Sequence, residues 1–553
     1  ARQAAVASLV EAGAARSEVR AALAPAADLE RLLARLSLGQ GNARDLRALA
    51  RTLTVAPAVA AALAKAAGEA GGLPERLEAL SAALHGFEAL ATKLDGALVD
   101  EPPATVREGG LFRPGYDPRL DEVLALSTDG KRTLLELEQR ERARTGIPSL
   151  KIRFNKIFGY YIEVTHAHRE KVPPEYERRQ TMKGSERYVT PELKAWEEKV
   201  LGAEERRKAL EYELFEALRQ EVVAEASRLR RLAAALAEID VLAALAHTAA
   251  QRGWCRPVLD ESRELQIEAG RHPVVEAALE ASGGEPFVPN DVRLDEDAFL
   301  MILTGPNMAG KSTVMRQVAL IALLAHVGSY VPARSCRLGL CDRIFTRVGA
   351  SDDLARGQST FMVEMTETAR ILNHATDRSL VILDEIGRGT STWDGVSIAW
   401  AVAEHIHDHL RCRTLFATHY HELTDLAKER SGVVNYTVAV REWEGQIVFL
   451  RRLVPGAANR SYGIQVARLA GLPRAVLDRA AEVLANLEAG ELDEVGRPAL
   501  AHHRGEPPGK GQLTLFSVPR RESEAERLIA ETDPDGLSPR EALDLLYRLK
   551  ALL

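Results

Sequence analysis

Apolar residues recur at helical spacing through most of residues 1–115, as in LERLLARLSLG and ERLEALSAALHGFEALATKL, which predicts a bundle of helices. Asp117-Pro118 reads as a cap followed by a first-turn proline. A helix opens there and runs to about Thr145, where Gly146 stops it. The texture then changes: from Pro148, KIRFNKIFGYYIEVTHA is rich in β-branched and aromatic residues, with a break at Gly159, and predicts short strands. Helix resumes at Thr190-Pro191-Glu192 and the pattern hardly breaks until about Arg252. If continuous, that stretch is roughly 90 Å long at 1.5 Å per residue. Strands placed between an outgoing and a returning helix describe an arm with a small domain at its tip, built to reach something.

After Gly253-Trp254 the pattern becomes strand, loop, helix. FLMILTG, SLVILDE and RTLFATHY are continuous apolar runs that alternate with helices, which indicates a mainly parallel sheet covered on both faces. Residues 491–522 are loop-like and read as a flexible linker. LSPREALDLLYRLKALL closes the chain as an amphipathic helix opened by Ser538-Pro539. The expected fold class is therefore multidomain: an α-helical core and lever arms with a small β-rich clamp, followed by an α/β domain. The boundaries are helical core 1–115, outgoing helix 116–147, clamp 148–190, returning helix and second core part 191–252, α/β domain 253–490, linker 491–522 and C-terminal helical segment 523–553.

Composition adds limits. At 553 residues and 46% hydrophobic, the chain builds several cores. With 72 Lys and Arg against 79 Asp and Glu the net charge is −7, so any basic footprint is local. Cys255, Cys336, Cys341 and Cys412 show neither CxxC pairing nor zinc spacing and read as small residues of a reducing compartment. No apolar stretch is read as membrane-spanning and no signal peptide is seen, so a cytoplasmic protein without a membrane partner is expected. The chain begins at Ala1 within a helical pattern, which reads as the start of a fragment.

TGPNMAGKST carries the chemistry. Gly305, Gly310, Lys311 and Ser312 satisfy GxxxxGK[ST] between a strand and a helix, so Gly305, Pro306, Asn307, Met308, Ala309, Gly310, Lys311, Ser312 and Thr313 form the expected ATP phosphate loop. Lys311 reaches the β and γ phosphates, and the Ser312 hydroxyl binds Mg²⁺. The second apolar strand ends in Asp384-Glu385: Asp384 is expected to hold the magnesium through its hydration shell and Glu385 to polarise the attacking water. His419, ending the third strand, is placed at the γ-phosphate or the water. A glutamate directly after that aspartate points to ATPases of the ABC type, which sandwich ATP between two subunits. The usual LSGGQ is absent, and GQSTFMVEM stands in its place, with Ser359 and Thr360 at a helix start suited to a partner's γ-phosphate.

TGPNMAGKST, DDLARGQSTFMVEMTETA, DEIGRGTSTWDG, FATHYHEL and RSYGIQVARLAGLP, in this order, resemble the bacterial MutS family of DNA mismatch repair ATPases. LERLLARLSLG resembles the family's helical core, and NKIFGYYIEVTHAH with RRQTMKGSERYVTPEL its clamp. The resemblance covers essentially the whole chain. It implies a homodimer that encircles double-stranded DNA, closed at the far end by a composite ATPase hydrolysing ATP to ADP and phosphate, with Ser359 facing the partner's nucleotide. Phe287, in EPFVPN, resembles the aromatic that stacks on adenine, and Arg451 stands where some members have a histidine. A MutL-type repair partner is implied as well. QLTLF, Gln512 to Phe516, resembles the peptide by which bacterial repair proteins dock on the replication sliding clamp. Family members begin with a mismatch-binding domain and a connector, for which this chain shows no candidate.

The basic footprint falls in the clamp. Residues 148–190 hold nine Lys and Arg against five Glu, the local excess expected for phosphate contact. Lys151, Arg153, Lys156, Arg178, Arg179, Lys183 and Arg187 are the expected DNA contacts, made to backbone without a recognition helix. SYGIQVARLAGLPRAVLDRA has helix-turn-helix spacing with a bend at Gly471-Leu472-Pro473, and the resemblance assigns it to subunit packing. A MutS-related protein acting on recombination junctions is the alternative. A chromosome-structuring ATPase would need far longer heptads and an LSGGQ signature.

Overall fold

A computed structural model describes residues 1–155, 159–306, 309–348, 360–443, 446–457 and 462–488, with isolated positions beyond them. The chain divides into two compact units, Ala1–Ser461 and Tyr462–Leu553.

The first unit opens on six helices: α1 (Arg2–Glu11), α2 (Gly13–Leu23), α3 (Leu29–Ser37), α4 (Ala43–Ala70), α5 (Glu75–Ala82) and α6 (Glu88–Ala97). Helix α7 (Pro118–Thr145) begins as its sequence requires. Asp117 accepts from the Arg119 N–H at 2.8 Å, Pro118 takes the first turn, and Gly146 ends the helix at φ 64°. Strands β1 (Lys151–Asn155), β2 (Gly159–Thr165), β3 (Glu177–Thr181) and β4 (Ser185–Val189) form an antiparallel sheet in the order β1-β2-β4-β3. Gly159 has φ 73° and lies against Glu197, whose carboxylate accepts from the Tyr160 N–H at 2.8 Å. Thr190 caps α8 (Pro191–Ala224) through the Leu193 N–H at 3.1 Å.

The returning helix is not continuous. It breaks at Glu225, and α9 (Ala226–Arg252) starts anew. Tertiary packing accounts for the break. Leu193 and Trp196 of α8 pack in the core of the small sheet with Leu137 of α7. Leu214, Phe215 and Val222 join the helical core, into which α9 buries Leu229, Leu232, Ile239 and Leu242. Helices α4 and α9 have the length and composition of membrane spans, contrary to the expectation that no segment reaches that length; 67% and 50% of those windows are buried inside the protein.

The α/β part follows: β5 (Val258–Asp260), β6 (Leu265–Gly270), α10 (Pro273–Ser282), β7 (Asn290–Leu294), β8 (Ala298–Thr304), α11 (Lys311–Val327), β9 (Ser335–Gly339), β10 (Ile344–Arg347), α12 (Thr360–His374), β11 (Leu380–Asp384), α13 (Thr392–His405), β12 (Arg413–Ala417), α14 (Leu426–Glu429), β13 (Gly432–Trp443) and β14 (Gln446–Pro455). The larger sheet has the order β10-β11-β12-β8-β13-β14. Every pairing in it is parallel except β13 with β14. Separate apolar cores cover its two faces, one with Met301 and Leu303, the other with Leu300 and Ile302. A second sheet, β5-β9-β6-β7, lies beside it.

Within the second unit, α15 (Gly463–Leu469) and α16 (Arg474–Glu488) are joined by a turn in which Gly471 has φ 86°.

Candidate nucleotide site

Strand β8 is buried along almost its whole length and delivers Gly305 to the carboxyl edge of the parallel sheet. Gly305 has φ 125° and Gly310 φ 109°, backbone that a side chain disfavours. Asn307 and Met308 lie outside the described residues; Pro306 and the buried Ala309 flank them. Lys311 starts α11 only 5% exposed, and its Nζ donates to the Gly305 carbonyl and, at 3.2 Å, to that of Pro306. Burial pushes its pKa down, opposed by Glu385 and Asp384. Ser312 and Thr313 complete the first helical turn.

Two strands away in the sheet, β11 ends at Asp384, paired with Ala417 of β12. The Asp384 Oδ1 atom is buried without a hydrogen-bond partner. Glu385 follows in the left-handed region at φ 58°, its N–H donating to the Ala417 carbonyl at 2.9 Å. A non-glycine residue held there is strained, and such strain gathers at functional sites. Burial raises the Glu385 pKa, while Arg388, 2.6 Å from its Oε2, and Lys311 work against that. His419, just beyond β12, presents an exposed edge, yet desolvation and then Arg388 and Lys311 lower its pKa. A cavity of about 360 Å³ opens beside these groups, lined in part by Asp384, Glu385, Arg388, Arg347 and Glu364.

Phe287 and Arg451 meet Gly310 and Thr313 around a cavity of about 210 Å³, closed by Val275 and Leu279 of α10. Asn290 holds this slot together. It is 3% exposed; its Nδ2 donates to the Val288 and Arg451 carbonyls at 3.2 and 3.0 Å, and its Oδ1 accepts from the Leu453 N–H at 2.7 Å. Arg451 itself sits at φ 53°. A ring and a guanidinium over an apolar floor suit a flat heteroaromatic base. The helix N-terminus and Lys311 suit its phosphates.

Sequence profiles of known families match three stretches: MutS domain V at residues 301–488, MutS family domain IV at 115–206, and the DNA mismatch repair protein MutS C-terminal region at 518–552. Among curated relatives, the DNA mismatch repair protein MutS of Anaeromyxobacter sp. (strain K) is 60% identical, aligned over 100% of this chain and 64% of its own length. The Myxococcus xanthus protein of the same name is 56% identical over 97% of the chain and 61% of its own length. That of Symbiobacterium thermophilum is 50% identical over 100% and 62%. The chain belongs to the MutS family. It spans 61–64% of the length of these relatives.

The MutS domain V match contains residues 305–313, Asp384, Glu385 and His419, and the MutS domain IV match contains α7, the four-stranded sheet and the first part of α8. Lys151 on β1 and Lys183 in the turn between β3 and β4 are exposed. Arg153 lies 3.8 Å from Glu163, Arg178 3.8 Å from Glu186 and Arg179 3.3 Å from Glu177. Arg187 turns inward, stacking over Tyr161 at 4.4 Å and donating to Gln180 Oε1 at 2.7 Å. Lys156, Ser359 and the segment Gln512 to Phe516 lie outside the described residues. Sequence reading quoted EPFVPN, GQSTFMVEM and RTLFATHY without singling out Asn290, Glu364 and Tyr420 in them. Their burial and main-chain hydrogen bonds, of Asn290 to β14 and of Glu364 and Tyr420 to Gly387, mark them out.

Proposed function

We propose that this chain is an ATP-dependent DNA-binding ATPase of mismatch repair, working as a dimer whose arms encircle duplex DNA and whose ATP sites are shared between subunits. The observation that carries the reading is the meeting of Lys311, Asp384, Glu385 and His419 at one sheet edge, with one cavity lined by both carboxylates and another by Gly310 and Thr313. The curated relatives are named as mismatch repair proteins, which supports this reading over action on recombination junctions.

In this reading the base stacks between Phe287 and Arg451, and residues 305–313 cradle the phosphates with Lys311 as their cation. Asp384 Oδ1, buried and unpartnered, fits a hydrated magnesium ion, with the Ser312 hydroxyl as its other protein contact. Bound there, magnesium neutralises phosphate charge and orients the chain of oxygens. Glu385, held close to Arg388, orients and polarises the attacking water, and His419 steadies the water or the γ-phosphate. Ser359 serves the partner's nucleotide. Lys151, Arg153, Lys156, Arg178, Arg179 and Lys183 contact the DNA backbone, with Arg187 bracing the sheet that presents them. A MutL-type protein and, through Gln512 to Phe516, a replication sliding clamp are the proposed partners.

The test is ATP turnover by the full chain, with and without magnesium and duplex DNA, across protein concentration. Magnesium-dependent hydrolysis that responds to DNA and rises with dimer fraction supports the proposal; DNA-independent turnover by an isolated monomer contradicts it.

A further inference from the structure

Gly387, two residues beyond Glu385, is gripped at both main-chain polar atoms. Its N–H donates to Glu364 Oε1 at 2.5 Å, and its carbonyl accepts from Tyr420 Oη at 3.0 Å. The turn packs so closely on α13 that position 387 has no room for a side chain: a Cβ there would stand 2.6 Å from the Gly395 carbonyl oxygen and 2.7 Å from its Cα. Gly387 itself has φ 94°.

The two grips come from different elements. Glu364 lies on α12, 5% exposed, with Oε2 3.4 Å from Arg347 Nη2; Arg347, ending β10, is 4% exposed. A carboxylate that deep is retained only when its oxygens are engaged, and here one holds a buried cation and the other a main-chain N–H. Tyr420 is buried beside His419, its own N–H donating to Thr418 Oγ1 at 2.9 Å. Glu385 thus reaches its strained φ between two fixed points: its N–H on Ala417 and the doubly held Gly387.

We infer that Glu364 and Tyr420 are positioning residues that fix the Glu385-Ile386-Gly387 turn, so that the Glu385 carboxylate lines the cavity beside Asp384. The inference rests on the reading of Glu385 as the water-polarising group. Neither residue touches nucleotide in this account; each acts through Gly387.

The experiment uses the full chain and measures ATP turnover together with affinity for a non-hydrolysable ATP analogue. Glu364→Met removes the acceptor, Glu364→Gln keeps one, and Tyr420→Phe removes only a hydroxyl; thermal melts confirm folding. Glu364→Met and Tyr420→Phe should each lower kcat on the order of 10- to 100-fold, the scale of a misplaced catalytic group. KM and analogue affinity should stay within about twofold. Glu364→Gln should recover most of the loss. Combined with Glu385→Gln, neither change should lower turnover further, because no carboxylate remains to be placed. If Glu364→Met fails to fold, Tyr420→Phe alone decides by the same kcat and epistasis criteria. Wild-type kcat in Tyr420→Phe and Glu364→Met beside a slow Glu385→Gln would overturn this inference alone, as would full additivity with Glu385→Gln. A Glu385→Gln enzyme turning over at the wild-type rate would overturn the role of Glu385 and this inference with it.

Discussion

Replacing Asn290 by alanine tests the proposed base slot separately from the proposed phosphate site. The side chain ties β7 to β14 by accepting from the Leu453 N–H and donating to the Val288 and Arg451 carbonyls. In the variant the Val288 and Arg451 carbonyls lose a side-chain donor, and the Leu453 N–H loses its side-chain acceptor. Leaving such a donor unmet costs about 1–3 kcal/mol. If that cost appears as a loosened slot when ATP binds, affinity falls roughly 5- to 150-fold, one decade per 1.4 kcal/mol. Inorganic tripolyphosphate, which has no base, should bind the variant as it binds the parent. Calorimetric titration of both ligands decides. Equal losses for ATP and tripolyphosphate, or no loss for ATP, would refute the assignment of the Phe287–Arg451 cavity to the base.

Other outcomes follow from single residues. His272 caps α10 by accepting from the Val275 N–H at 3.2 Å through Nδ1, and burial lowers its pKa. Because the folded state resists the proton, its contribution is complete above the ordinary histidine pKa of about 6.5 and is lost as pH falls through and below that value. Urea denaturation between pH 5 and 7.5 should show the wild type losing stability relative to His272→Asn; parallel profiles would contradict this. Burial pushes the Cys336 thiol up to about 12, so alkylation at pH 8 should wait on unfolding, and rapid labelling of the native chain would be inconsistent. Lys151→Ala and Lys183→Ala should weaken duplex binding alike for all sequences and reduce the salt slope by about 0.9 for each phosphate left unneutralised. Arg187→Ala should instead lower the melting temperature, since its guanidinium is spent on Tyr161 and Gln180.

Much of this architecture is written locally. Asp117-Pro118 with Gly146, and Thr190-Pro191, mark helix ends because capping depends on neighbours in sequence. The three apolar runs ending at Thr304, Asp384 and Ala417 lie side by side in the sheet in the way their burial on both faces implies. The break at Glu225 carries no proline or glycine; it comes from α9 joining a core that α8 only partly enters. The sheet β5-β9-β6-β7 escapes pattern reading because its strands are three to six residues long and pair across long separations. Phe287 and Arg451 were named through resemblance, while Asn290 and Glu364 emerge only when burial shows a polar side chain with nowhere to go but its partner.

The central claim, that Lys311 and Glu385 serve one ATP site in different capacities, is tested most directly by measuring ATP affinity and single-turnover hydrolysis for Lys311→Ala and Glu385→Gln side by side. Lys311→Ala should lose affinity, because the phosphates lose their cation. Glu385→Gln should bind ATP like the wild type and cleave it slowly, because the water loses its base. Equal losses of ATP affinity in both variants, or undiminished cleavage by Glu385→Gln, would contradict the account.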